Sequence, residues 1–254
     1  MKKPPKVFRV ARLVARVCVS VATVFIGLAL PRRSGAERRR PVMPATHPSA
    51  ACTSGMTALA GGHFTMGERH DAVTVHPFCL DLTEVTVDAY AACVASGKCS
   101  ADFTRGDGCN SGMSGRGDHP MNCVDWTQSA AYCGAHGKRL PSEEEWEWAA
   151  GGGAEGRKYP WGGADPDSQA CWSGITRRDG TCAVGTNPSG DTAAGIHDMA
   201  GNVWEWTSTS PDANTRVDRG GSWSNDDATD LRAAFRDWFP PSSRFTFLGF
   251  RCAR

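Results

Sequence analysis

The 254-residue sequence lacks the paired cysteines and histidines that mark small zinc domains. It contains no Cys-x-x-Cys pair, and its seven histidines form no His-x-x-x-His pair. Because structural zinc is usually held by ligands at such spacings, their absence argues against a zinc-stabilised fold.

Long apolar runs are also lacking, since none reaches the roughly 20 residues of a transmembrane helix. The longest runs from Val17 to Leu30, follows six Lys and Arg side chains and ends at Pro31. With the small residues 34–36 behind it, this pattern predicts a signal peptide over residues 1–36. An uncleaved anchor is the alternative, and only that alternative would place the chain at a membrane. Both predict an exported protein that is periplasmic, extracellular or on the cell surface.

Acidic residues are nearly absent from the first 40 positions, which hold one of them beside 11 Lys and Arg. The rest of the chain has 17 basic and 26 acidic residues, a net charge of −9. This acidic body argues against nucleic acid as a partner. Residues 37–55, rich in Arg, Pro, Ala and Ser, predict a flexible linker, and residues 56–254 predict one domain.

Ten cysteines follow residue 36. An even number of cysteines in an exported chain predicts disulfide bonds. Their connectivity does not follow from the cysteine count.

Local patterns predict short strands and three helices. Apolar and polar residues alternate over residues 64–66, 73–75 and 78–80, which is typical of strands. Thr86 is the expected N-cap of a first helix that stops at Gly97, and a second helix is predicted over residues 127–136. Ser142 and Glu145 form a capping-box pattern at the start of a third helix.

The stretch GIHDMAGNVWEW, residues 195–206, combines a glycine turn with an alternating strand. Alternation after Asn202 places Trp204 and Trp206 on one face. Asp198 and Glu205 would then offer hard oxygen ligands on either side of the turn, which suits calcium. Hydrogen bonds from these acids to backbone amides are the equally weighted alternative.

Four blocks, in order along the chain, carry a family resemblance: KRLPSEEEWEW (138–148), GIHDMAGNVWEW (195–206), RGGSW (219–223) and LGFRC (248–252). From about Met56 onwards the sequence resembles the sulfatase-modifying-factor family, also called the formylglycine-generating-enzyme family. The resemblance implies an α+β fold of C-type-lectin-like type, with short strands, few helices, much ordered loop and disulfide staples.

The resemblance also implies structural calcium and one disulfide. The better-matched calcium site has side-chain ligands Asp198 and Glu205 and backbone carbonyls from Gly201 and Val203. The weaker site matches Asp179, Cys171 and Thr181, with Ala170 in place of an asparagine ligand. The implied disulfide joins Cys133 to Cys252.

The family's catalytic metal is the main departure. Formylglycine-generating enzymes oxidise a substrate cysteine with oxygen, using copper(I) on two thiolates three and eight residues after the serine of the RGGS block. Here that serine is Ser222, and the two positions are Asn225 and Asp230. Copper(I) is soft and needs thiolates, so copper is not expected. The family's asparagine before LGFR is likewise replaced, by Phe247.

The groove that remains has six candidate residues: Ser222, Trp204, Trp223, Asn225, Asp230 and Arg232. Asp226 and Asp227 add negative charge beside them. These acids are either a solvated loop or part of a groove that favours a cationic ligand or a hard metal ion.

The sequence therefore predicts a calcium-stabilised binding or structural module without copper-dependent cysteine oxidation. Its ligand would be a peptide, a small molecule or a protein. The alternative is an oxidoreductase, either a formylglycine-generating enzyme of sulfatase maturation or a related oxidase of altered chemistry.

Overall fold

The computed structural model describes residues 52–174 and 177–254, which lie in one unit over Thr46–Arg254. The expected signal peptide and most of the expected linker fall outside the described residues. Among the described residues, no helix has both the length and the apolar character needed to cross a membrane.

Four N-terminal strands form two antiparallel pairs. Strand β1 (Met56–Leu59) pairs with β4 (Phe78–Asp81), and β2 (Gly62–Met66) forms a hairpin with β3 (Asp71–Val75). The three predicted strand segments lie within β2, β3 and β4 and are confirmed. Alternation along β2 buries Phe64 and Met66, as a half-buried strand requires.

Three helices follow, each with a side-chain cap. They are α1 (Val87–Ala95), α2 (Trp126–Ala135) and α3 (Glu143–Ala150). Thr86 caps α1 and Ser142 caps α3, as predicted. Helix α2 begins and ends one residue earlier than predicted, because Asp125 accepts from the Gln128 amide and so acts as the N-cap.

A four-stranded sheet lies in the C-terminal part of the chain. Its strands are β5 (Trp204–Trp206), β6 (Arg216–Arg219), β7 (Arg236–Phe239) and β8 (Leu248–Gly249), in the spatial order β7-β6-β5-β8. Strands β5 and β8 are parallel, and the other neighbours are antiparallel. Residues 151–195 are mostly loop, in keeping with the much ordered loop that the resemblance implies.

Two apolar clusters form most of the core. One joins α1 and α2 to the C-terminal sheet through Tyr90, Tyr132, Trp206 and Phe250. The other places Trp146 of α3 against the N-terminal strands. Both clusters contain residues from distant parts of the chain, so they form only as the fold closes.

The last residues lie within the fold, against segments from its beginning. Cys79 and Arg254 exchange backbone hydrogen bonds of 2.8 and 2.9 Å, and Ala253 pairs in the same way with Arg139. The Cys252 amide donates to Asp81 Oδ2 over 3.0 Å, across 171 positions of sequence. Residues 252–254 therefore connect β4 to the segment before α3.

All ten cysteines of the described residues are in disulfides. Cys133 of α2 is joined to Cys252, the pair that the resemblance implies. The other bonds are Cys52–Cys79, Cys93–Cys99, Cys109–Cys123 and Cys171–Cys182. Four of the five bonds join cysteines at most 27 positions apart, whereas Cys133–Cys252 spans 119.

Candidate functional site

A cavity of about 240 Å³ lies beside β5 and β7, where the resemblance places the family's groove. Aromatic, acidic and neutral polar side chains line it: Trp204, Ser224, Asn225, Asp230, Phe235, Asp237, Phe239 and Phe247. Alternation along β7 explains this face, because Phe235, Asp237 and Phe239 project to the same side of the strand.

The aromatic walls of the cavity are in contact with one another. The Trp204 and Phe235 ring centroids are 6.0 Å apart, and those of Phe239 and Phe247 are 6.2 Å apart. Phe245 stacks behind Phe247 at 4.9 Å, so the replacement of the family's asparagine by Phe247 extends an aromatic cluster. Trp204 is only 5% exposed, which fixes this wall in the core.

Asn225 and Asp230 stand side by side, as the family's two thiolates would. Asn225 Nδ2 donates to Asp230 Oδ2 over 2.5 Å. Asn225 Oδ1 accepts from the Ser222 amide, the Ser222 hydroxyl and Trp204 Nε1, over 2.9, 2.8 and 3.1 Å. The side-chain oxygen of Asn225 is therefore fully used within the protein, and its nitrogen donates to Asp230.

Asp230 lies in a partly buried position among other acidic residues. Burial raises the pKa of the Asp230 carboxyl above its ordinary value, and the charges of Asp227, Asp226 and Asp237 raise it further. The hydrogen bond from Asn225 opposes this shift. Asp226 and Asp227, by contrast, are exposed, as expected for a solvated loop.

The other three groove candidates do not line the cavity. Ser222 is fully buried behind Asn225. Trp223 donates through Nε1 to the Thr246 carbonyl over 3.1 Å, and Arg232 pairs with Glu68 at 2.5 Å. The sequence interpretation missed Phe235, Asp237 and Phe239, although the alternating pattern of residues 235–239 could have indicated them.

Glu205, an expected calcium ligand, points into the core towards Arg251. Arg251 donates to both Glu205 oxygens, through Nε over 2.8 Å and Nη2 over 2.7 Å. Trp146 Nε1 also donates to Glu205 over 2.9 Å. This bidentate pair neutralises Glu205 in a fully buried position.

Asp198 and Glu84 bring two further buried carboxyl groups close to Arg251. Asp198 accepts from the Gly185 amide over 2.6 Å, as the non-metal alternative anticipates. Burial raises its pKa, and burial followed by the Asp198 charge raises the pKa of Glu84 well above the ordinary value. Glu84 Oε2 is buried with no hydrogen-bond partner. Sequence reasoning missed Glu84, which no motif marks.

Gly201, another expected calcium residue, sits in a tight turn at φ +84°. A Cβ atom there would approach the Cys171 carbonyl oxygen to 2.6 Å, so only glycine fits. Asn202, the next residue, donates through its amide to that carbonyl over 2.7 Å and through Nδ2 to Glu84 over 3.0 Å. The turn therefore holds Glu84 against the loop of Asp198.

At the weaker expected calcium site, the positively charged side chain of Arg116 contacts one of the expected ligands. Arg116 Nη1 donates to the Thr181 carbonyl over 3.0 Å, and the Cys171 carbonyl is taken by Asn202. Asp179 is exposed. A guanidinium on one expected ligand does not suit a second cation, so these residues do not fit calcium.

Side chains alone do not form a metal centre in the part of the chain that the structure describes. No group of three or more His, Cys, Asp or Glu residues is arranged to hold an ion there. Calcium near Asp198 would thus depend on backbone carbonyls for most of its ligands. The unpartnered oxygen of Glu84 and the nearby carboxyl of Asp198 fit such an ion.

Comparison with known proteins gives concordant matches. The model of the sulfatase-modifying factor enzyme 1-like domain matches residues 43–254. A formylglycine-generating enzyme of Streptomyces coelicolor is 31% identical, over 83% of this chain and 91% of the relative. The inactive C-alpha-formylglycine-generating enzyme 2 of Bos taurus is 38% identical, over 58% of this chain and 54% of the relative. The chain thus spans about half the length of that relative.

A solved structure agrees with these matches. The structure of PvdO from Pseudomonas aeruginosa superimposes with a TM-score of 0.65 at 26% identity. The match covers 78% of this chain and 93% of that one. The expected α+β, C-type-lectin-like fold is therefore confirmed.

Proposed function

The chain belongs to the sulfatase-modifying-factor family, and we propose that it is an exported, calcium-stabilised binding module that does not oxidise cysteine with copper. Its ligand site is the cavity beside β5 and β7. The family membership supplies the scaffold, and the residues of the cavity supply the function.

One observation carries the proposal: the two expected thiolate positions hold Asn225 and Asp230, hydrogen-bonded to each other. An amide nitrogen and a carboxylate are hard donors, whereas copper(I) prefers thiolates. Disulfides hold all ten cysteines of the described residues, so none of these offers a thiolate in its place. The bovine relative whose name calls it inactive supports the same conclusion.

Five disulfides support export. Disulfides form and persist in oxidising compartments, and reducing conditions in the cytosol would open them. This agrees with the signal peptide expected over residues 1–36.

Calcium would serve structure in this module. Asp198 and Glu84 would supply side-chain oxygens, and the turn at Gly201 and Val203 would supply carbonyls. Arg251 is already paired with Glu205. A bound divalent cation would therefore balance the charge of ionised Asp198 and Glu84.

The test of non-oxidising function is direct. The full chain is incubated with copper, oxygen and a Cys-x-Pro-x-Arg peptide, and mass spectrometry follows the peptide. We expect no aldehyde, because no thiolate pair is available for copper(I). The formylglycine-generating enzyme of Streptomyces coelicolor, run in parallel, shows that the assay detects turnover. Aldehyde formed by this chain at a comparable rate would overturn the proposal.

A further inference from the structure

We propose that the cavity beside β5 and β7 binds an organic ammonium group, with Asp230 and Asp237 as counter-charges and aromatic rings as walls. This inference rests on the proposed function, because it names the ligand class of that binding module. The walls are formed by Trp204, Phe235, Phe239 and Phe247.

The charge of the cavity selects a cation. Two carboxylates line it, and none of its lining residues is basic. Neither Asp230 nor Asp237 forms an ion pair with a described residue. Asp230 accepts from a neutral amide, and Asp237 Oδ1 accepts from the Trp238 backbone amide over 2.8 Å. Their negative charge is therefore available to a ligand.

The aromatic walls of the cavity favour an organic cation over a bare metal ion. Aromatic faces attract ammonium groups through their quadrupole, and tryptophan does so best. A calcium ion would instead need six to eight oxygen ligands, and the described residues hold no group of three acids arranged around an ion. A cavity of about 240 Å³ has room for a small alkylammonium group.

A buried carboxyl below the cavity is a second, independent observation. Asp218 of β6 is 0% exposed, and both its carboxylate oxygens lack a hydrogen-bond partner. In the sheet it pairs directly with Asp237 on one side and Trp206 on the other. Directly paired residues project from the same face, so the Asp218 carboxyl lies on the face that carries Asp237 and Trp204.

Asp218, once ionised, would thus add negative potential on the side of the sheet that carries the ligand, and its oxygens have no hydrogen-bond partner in the described residues. An unpartnered buried carboxylate is costly, and a cation bound above it would offset part of that cost. Asp218 is accordingly a positioning residue, and Asp230 and Asp237 are the residues that contact the ligand.

Isothermal titration calorimetry of the full chain in phosphate buffer, free of amines, tests the proposal. The probes are choline, its uncharged isostere 3,3-dimethyl-1-butanol, and n-butylamine. We expect at least one of the two cations to bind and the isostere not to bind. Asp230→Asn and Asp237→Asn should each weaken binding by about tenfold, since each removes a counter-charge.

Asp226→Asn is the matched control, because it removes the same charge from an exposed neighbour of Asp230. It should change affinity by less than about twofold, as expected for a screened surface charge. Asp218→Asn should weaken binding while raising the thermal midpoint, a combination that misfolding cannot produce. Phe247→Asn, which restores the family's residue, should also weaken binding.

Several results would overturn the proposal. One is that neither cation gives a heat of binding, and another is that the uncharged isostere binds as well as the cations. A third is that Asp226→Asn and Asp230→Asn lose the same amount of affinity. Stoichiometric displacement of choline by calcium would assign the cavity to a metal ion instead. A chain that makes no aldehyde and binds no ammonium refutes this inference alone, whereas aldehyde formation refutes the proposed function.

Discussion

Asp218 places a buried carboxyl group where neither oxygen has a hydrogen-bond partner of good geometry. Burial, followed by the charge of Asp237 across the strand pair, raises its pKa well above the ordinary value, and its own backbone amide and Arg219 oppose the shift only in part. The carboxyl therefore holds its proton more tightly in the folded than in the unfolded state. Ionising it costs the fold stability.

This shift fixes the sign of a pH effect. The pKa of Asp218 is higher in the folded than in the unfolded protein. The stability that protonated Asp218 contributes is therefore complete below its unfolded pKa of about 3.9, and it is lost as pH rises towards its folded pKa. We expect Asp218→Asn to raise the free energy of unfolding at pH 7 by about 1–3 kcal/mol and to flatten its pH dependence above pH 4. Urea denaturation between pH 4 and pH 8, with disulfides intact, measures both.

Asp226→Asn serves again as the control, since an exposed carboxyl should leave the stability curve unchanged. A lower stability of Asp218→Asn at pH 7 would show that the carboxylate has a partner in solution.

Single residues were predictable where a motif aligns them. The replacements Asn225 and Asp230 follow from counting after Ser222, and the structure places them in contact. Asp237 and Phe239 were missed because alternation over residues 235–239 indicates a strand face but not that β7 pairs with β6 beside the cavity. The partnership of Glu205 with Arg251 was missed for the same reason, since 46 positions separate them.

Local sequence determines where the helices begin, but it does not determine the short strand β5. Thr86, Asp125 and Ser142 each accept from an amide in the first turn, so polar caps set where α1, α2 and α3 begin. Strand β5 is only three residues long and is stabilised by β6 and β8 on either side. Such a strand has too little length for a periodic signal, and its neighbours come from 10 or more residues away.

The covalent links between elements can be compared with each other. Cys133–Cys252 joins α2 to the end of the chain across 119 positions, whereas Cys93–Cys99 spans six. Restricting the longer loop removes more entropy from the unfolded chain. We expect replacing Cys133 and Cys252 by alanine to cost about 5 kcal/mol, against about 2 kcal/mol for Cys93 and Cys99. Calorimetric unfolding of the two double variants measures the difference, and equal losses would contradict the loop-entropy explanation.

At the scale of the whole molecule, Asp198, Glu84 and the Glu205–Arg251 pair lie where residues 81–84 meet residues 197–205 and Arg251. Arg251 comes from the last segment and donates to the carbonyls of Asp81 and His197 over 3.2 and 2.9 Å. A cation held near Asp198 would strengthen the same junction. Its effect should therefore appear in the global unfolding transition.

Calcium should raise that transition. At a concentration 100 times its dissociation constant, one bound ion adds about 2.7 kcal/mol to the free energy of unfolding. We expect the thermal midpoint of the wild type to rise with calcium and to fall with a chelator. Asp198→Ala should abolish the response, whereas Asp198→Asn keeps a carbonyl oxygen, as in the family, and should retain most of it. If calcium leaves the thermal midpoint of the wild type unchanged, the protein has no stabilising calcium site.

The overall architecture was predictable through the family resemblance, whereas the arrangement of its parts was not. The ten cysteines predicted disulfides, but only the resemblance pointed to Cys133 and Cys252. The weaker calcium site illustrates the limit, because the sequence matched Thr181 but could not show Arg116 bonded to its carbonyl. Contacts of this kind depend on loops, whose paths have no regular pattern.

The pairing of residues 252–254 with Cys79 and Arg139 has a consequence for biosynthesis. A ribosome adds about 5–20 residues per second. The interval between the synthesis of Asp81 and that of Cys252, whose amide it binds across 171 positions, is therefore roughly ten to thirty seconds. Until then Cys133 has no native disulfide partner, whereas Cys171 and Cys182 are only 11 positions apart. We expect Cys171–Cys182 to close before Cys133 meets Cys252, because closing a shorter loop costs less entropy.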